Sequence, residues 1–119
     1  MINILEKSRE FSKVDTYLMT IAPSIKSMKD VPDDTSIPYA GHIIFEDVKD
    51  TGEISEILSI ITPDREVYSM QSETFRRSLK DIIEVMGESA SFSIKKISGK
   101  SKGGRDYINC ELDITSVNE

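Results

Sequence analysis

The most regular stretch of the chain is "ETFRRSLKDIIEVM", residues 73–86, where Phe75, Leu79, Ile82, Ile83 and Met86 recur at helical spacing and form one apolar stripe. Ser72 is placed to cap this helix, Glu73 suits the positive end of its dipole, and Gly87 is placed to end it. Elsewhere the period is shorter. In "DYINCELDI" (106–114), Ile108, Cys110, Leu112 and Ile114 alternate with Asn109, Glu111 and Asp113, which predicts a strand with one buried and one wet face. "SFSIKKIS" (91–98) reads the same way, with Phe92 and Ile94 in phase. Upstream of the helix, "GHIIFEDV" (41–48) and "EISEILSIIT" (53–62) flank the turn residues of "KDTG" and predict a hairpin. "TPDR" (62–65) predicts a tight turn, and "EVYSM" (66–70) a third strand.

The predicted order is strand, strand, strand, helix, strand, strand. That order fits a mainly β OB-fold, a five-stranded Greek-key barrel with its helix between the third and fourth strands. Other small α+β sheets share it. The expectation is one domain over residues 1–119, with the barrel core at 37–115 and an N-terminal extension at 1–36. In that extension "VDTYLMTIAPSIKSMKDV" has apolar residues at mixed spacing interrupted by Pro23, which predicts a short helix or strand and then a covering segment. "DVPDDTSIP" (30–38) reads as a turn-rich loop.

Length and composition narrow the class. A chain of 119 residues, 38% hydrophobic and 30% charged, suits a single globular core. There is no apolar run of bilayer length, and "MINILEKSRE" is too short and too charged for a signal peptide, so the expectation is a cytoplasmic protein without membrane contact. The single cysteine, Cys110, forms no internal disulfide and is expected to be a buried, inert thiol.

The net charge of −6 argues at first against a nucleic-acid partner. The distribution reverses that. Within "ISGKSKGGRDYIN" (97–109) and the residues just before it, Lys95, Lys96, Lys100, Lys102 and Arg105 occur with no acid between 95 and 105. Gly99-Lys100-Ser101 has the ending of a P-loop, but the glycine needed five residues earlier is Ile94, and Gly103-Gly104 lead into a strand where a helix is required. Nucleotide binding in that mode is excluded. A hairpin with a cationic tip remains, in which Gly99, Gly103 and Gly104 permit positive φ or the close approach of a partner. In an OB-fold this connection rims the oligonucleotide groove. Its cations would neutralise phosphates, and Tyr107, opposite in facing to Ile108, would offer a ring on which a base stacks. Tyr68, in the third strand, is a second stacking candidate.

Other residues carry blander readings. Phe75 and Phe92 are expected in the core; Tyr39, Phe45 and Tyr17 stay open between packing and contact. Lys26 and Lys29 form a smaller basic site that reads best as solvated surface. Arg76, Arg77 and Lys80 form a polar helix face. His42 lies in a strand and reads as structural rather than as a general base. With no His/Cys cluster and no exposed thiol, neither a metal, a cofactor nor an enzyme is expected.

Taken together, "FSKVDTYLMTIAPSIKSMKDV", "GHIIFED", "SEILSIITPDREVY", "QSETFRRSLKDI" and "SIKKISGKSKGGRDYINCELDI" resemble the single-stranded DNA-binding proteins of phages that infect Gram-positive hosts, the lactococcal phage type in particular. The resemblance implies an OB-fold, sequence-independent binding of single-stranded DNA, a homo-oligomer (dimer or tetramer), and a role in phage DNA replication and recombination in the host cytoplasm. Replication or recombination proteins are possible further partners. The end "ELDITSVNE" departs from the long acidic tail common in bacterial single-strand binding proteins, so recruitment by that route is not expected. The alternative reading is a protein-interaction or inhibitory module whose basic hairpin docks an acidic host protein.

Overall fold

The computed structural model describes residues 1–87 and 91–117, so the last two residues of "ELDITSVNE" lie outside the described residues. The protein is mainly β. It divides into two compact units, one formed by Met1–Met28 with Ala40–Gln71, the other by Lys29–Tyr39 with Ser72–Glu119.

The first unit is built on a five-stranded sheet. In chain order its elements are β1 (Ile2–Lys7), helix α1 (Lys13–Thr20), β2 (Lys26–Ser27), β4 (Gly41–Val48), β5 (Ile54–Ile61) and β6 (Val67–Met70), with β3 (Ser36–Tyr39) assigned to the second unit. The sheet order is β1-β4-β5-β6-β2. β4, β5 and β6 are an antiparallel meander in which Gly41 pairs with Ile61 and Leu58 with Met70. β1 adds antiparallel to β4, and the two residues of β2 add parallel to β6. Met19 from α1, Ile43, Phe45, Ile61 and Val67 form the core of this unit. Phe45 is therefore a core residue, buried with Ile43 as their shared phase implies.

The second unit carries a three-stranded sheet of order β3-β7-β8, with β7 spanning Phe92–Lys100 and β8 Asp106–Asp113. Helix α2 (Glu73–Met86) has the predicted bounds. Ser72 caps it, its hydroxyl accepting from the Phe75 N–H at 3.1 Å and donating to the Ile108 carbonyl at 3.0 Å. The cap residue thus ties the helix start to β8. Phe75 and Leu79 are buried, as are Phe92, Ile94 and Cys110.

Three strands depart from the sequence expectation. β1 lies in the N-terminal extension, ahead of the segment read as a short helix or strand, and is an edge strand of the larger sheet. Its side chains are largely exposed, so burial imposed no alternation that a sequence could display. β2 is too short to carry a period. β3 falls at the end of the stretch read as a loop; its Pro38 is tolerated because β3 is a sheet edge. Ala40 alone separates β3 from β4, so one nearly continuous run, Ser36–Val48, serves both sheets.

Candidate nucleic-acid interface

The β7–β8 hairpin positions the predicted cations. Its register runs from Ser93 opposite Asp113, through Lys96 opposite Cys110, to Lys100 opposite Asp106. The tip closes tightly: the Ser101 N–H donates to the Arg105 carbonyl at 2.9 Å and the Gly104 N–H to the Ser101 carbonyl at 2.9 Å. Of the three tip glycines, Gly104 alone has a positive φ, +78°, the left-handed residue that follows the turn in a three-residue hairpin loop. Lys100, Lys102 and Arg105 are all exposed around this turn. Lys100 Nζ lies 3.9 Å from Asp106 Oδ1, both side chains largely in water. An exposed pair of this kind is worth at most about 1 kcal/mol, so it can exchange for a phosphate.

Tyr107 is 40% exposed. It faces Gly99 across the hairpin, and its ring lies directly over that glycine: a Cβ placed there would stand 2.6 Å from the ring's Cζ and hydroxyl oxygen. Gly99 was expected to admit a partner's backbone. The space is taken by Tyr107 instead, with one face of the ring against the hairpin. The register places Lys95, Ile97, Asn109 and Glu111 on the same sheet face as Tyr107. Lys95 is half-buried and pairs in register with exposed Glu111, so the face below the tip is of mixed charge.

Lys96 is a correction. Read as one of five phosphate-contacting cations, it is buried at 4% exposure on the inward face with Phe92 and Ile94. Its ammonium donates to the Val31 carbonyl at 2.7 Å and lies 3.2 Å from Asp33 Oδ1. The backbone joins in, with Asp34 N–H donating to the Lys96 carbonyl at 2.7 Å and Lys96 N–H to that of Thr35 at 3.2 Å. Strand alternation alone put Lys96 in phase with Ile94, and a lysine is buried only where its ammonium finds such partners. The Ser98 hydroxyl also donates to Asp33, at 2.7 Å. That bond first, and the Lys96 ammonium second, hold the Asp33 carboxyl below its ordinary value.

Tyr68 belongs to the first unit. Half-buried on β6, it is paired in register with Lys26, whose ammonium lies 5.5 Å from the ring centroid. Lys26 also donates to Glu66 at 3.2 Å; that hydrogen bond, and then the electrostatic interaction with Tyr68, raise its pKa. Lys26, read as solvated surface, is thus a partner of both a carboxylate and a ring.

The remaining candidates fall into place. Tyr39 stacks on Phe92, with centroids 5.0 Å apart and planes 17° from parallel. His42 is buried, its Nε2 3.2 Å from Glu6 Oε2. Cys110 is buried against the Phe75 carbonyl, and burial pushes its pKa up to about 12, which makes it an inert thiol. Tyr17 is 48% exposed on α1. Among the described residues, no helix is long and apolar enough to cross a membrane.

The contacts that sequence reasoning missed are Asp33 as the Lys96 partner, Asp106 beside Lys100, and Gly99 beneath Tyr107. The last was within reach. Once the turn is centred on Gly103, antiparallel counting places 99 opposite 107. No family model, no curated protein and no solved structure matches this chain.

Proposed function

We propose that this protein holds single-stranded DNA without reading its sequence, through the tip of the β7–β8 hairpin. The observation that carries the reading is the Tyr107 ring laid over Gly99 just below a turn that bears exposed Lys102 and Arg105, with exposed Lys100 next to it on the opposite sheet face. Cations attract phosphates whatever the base, and a ring face accepts any base by stacking; neither contact reads a base edge. A base inside a duplex has no free face, so the ring favours unpaired strands. Lys95 adds a fourth charge lower on the same sheet face. Tyr68 is a second stacking position on the first unit, where a base would displace Lys26 from the ring.

The finer fold reading belongs to the same proposal. The chain order of a β4–β5–β6 meander, a helix and a final hairpin, with the run Ser36–Val48 serving both sheets, supports reading the fold as a variant of the OB-fold. The resemblance to phage single-stranded DNA-binding proteins extends the proposal to replication and recombination in a host cytoplasm, and to a homo-oligomer. Several hairpins on one oligomer would offset the repulsion from an acidic chain by avidity.

The test is titration of a fluorescently labelled oligo-dT at several salt concentrations. Four cations, each neutralising one phosphate of a single strand, give a slope of log K against log salt of about −3. Replacing Lys100, Lys102 and Arg105 by alanine should lower its magnitude by about 2. A wild-type chain that does not bind, or a triple variant with an unchanged slope and an intact fold, overturns the proposal.

A further inference from the structure

We infer that Gly99 sets the Tyr107 ring flat, and that this packing creates the stacking surface; the inference rests on the single-strand reading above. Gly99 lies in the extended run of β7 and is absent from the positive-φ positions, so its backbone is open to any residue. What requires glycine is the space above it. An added Cβ would meet Tyr107 Cζ and Oη at 2.6 Å and Cε1 at 3.2 Å. All three atoms belong to the far end of a side chain that is 40% exposed. The ring therefore has solvent to swing into, and the backbone need not move. An aromatic ring laid across a cross-strand glycine is an established way of covering bare backbone. Here the same contact leaves one ring face outward, at the height of the turn that carries Lys100, Lys102 and Arg105. A ring that stands on edge or rotates freely loses that face and must be ordered again when a base arrives.

Gly99→Ala should therefore damage stacking and spare the phosphate contacts. Oligo-dT affinity is expected to fall about 5- to 100-fold, the range that one stacked base contributes. The slope of log K against log salt should stay as in the wild type, because no cation has been touched. For an abasic oligonucleotide of equal length, Gly99→Ala and wild type should bind alike. In a Tyr107→Ala background Gly99→Ala should cost nothing further, as expected of two residues acting through one contact. A readout without nucleic acid completes the set. The Gly99 Hα resonances should carry an upfield ring-current shift that Tyr107→Ala abolishes.

The inference is overturned if Gly99→Ala binds oligo-dT as tightly as wild type. It is equally overturned if the substitution costs as much in the Tyr107→Ala background, or if the ring-current shift is missing. A wild-type chain that shows the shift but binds no oligonucleotide overturns the functional reading instead, and leaves Gly99 as a packing residue only.

Discussion

Lys96 and Lys100 are four residues apart on one strand face, yet their roles separate at the level of single contacts. Lys100 stands in water beside Asp106, whereas Lys96 fills a buried position with its ammonium on Val31 and Asp33. Lys96→Ala leaves the Val31 carbonyl without its donor, while Asp33, half-exposed, can return to water. We expect a loss of about 1–3 kcal/mol in urea denaturation, the cost of an unsatisfied buried group. The oligonucleotide salt slope should be unchanged. A slope that falls along with stability would return Lys96 to the phosphate contacts. Strand phase hinted at its burial; the partners lie more than sixty positions away in sequence and left no local trace.

Asp113 gives the second prediction at this scale. Its carboxylate accepts from the Ser36 hydroxyl at 2.6 Å, and from the Thr115 hydroxyl at 2.6 Å and N–H at 3.1 Å. The Ser36 bond, then those from Thr115, with the Lys95 charge last, hold its pKa below the ordinary 3.8. A carboxyl whose folded pKa is depressed contributes its stability in full above 3.8, and loses it as pH falls through the lower folded value. Asp113→Asn should therefore be less stable than wild type at neutral pH, and the gap should close on acidification below 3.8. A gap independent of pH would show that the carboxylate charge contributes nothing.

At the scale of elements, the hairpin tip and helix α2 rest on different physics. The helix was legible because its stripe, cap and terminating glycine are all local, and its observed bounds are Glu73–Met86. The tip was legible as a turn, but only the register decides which side chains meet across it. Gly104, at φ +78°, holds the left-handed position there. Gly104→Ala forces a Cβ into that conformation at about 1–2 kcal/mol. Thermal unfolding should shift down accordingly, and oligo-dT affinity should fall as the tip loosens. Gly103→Ala, without a positive φ to satisfy, should leave both near wild type. Equal effects at the two positions would contradict the turn geometry.

For the whole molecule, a net charge of −6 opposes any polynucleotide at long range, which the proposed function requires the tip to overcome locally. On the proposed single-strand reading, the stacking ring would decide the kind of strand held. Duplex DNA offers phosphates but no free base face, so it should bind at least about tenfold more weakly than oligo-dT at equal salt. Competition between unlabelled duplex and labelled single strand measures this directly, and equal affinity would reduce the site to a general polyanion contact.

Taken alone, the sequence determined those elements whose signals are local: α2, the strands at 41–48, 54–61, 67–70, 92–100 and 106–113, and the cation-rich connection between the last two of them. Helical and strand periods, caps and turn residues act over a few positions, so they can be read without partners. Only the tertiary structure decided that β1 and β3 are strands, that Lys96 is buried on an ion pair, and that Tyr107 lies over Gly99. Each of these depends on a residue far along the chain. An edge strand is specified by the strand it joins, a buried ammonium by the loop that receives it, and a ring's orientation by the side chain missing beneath it.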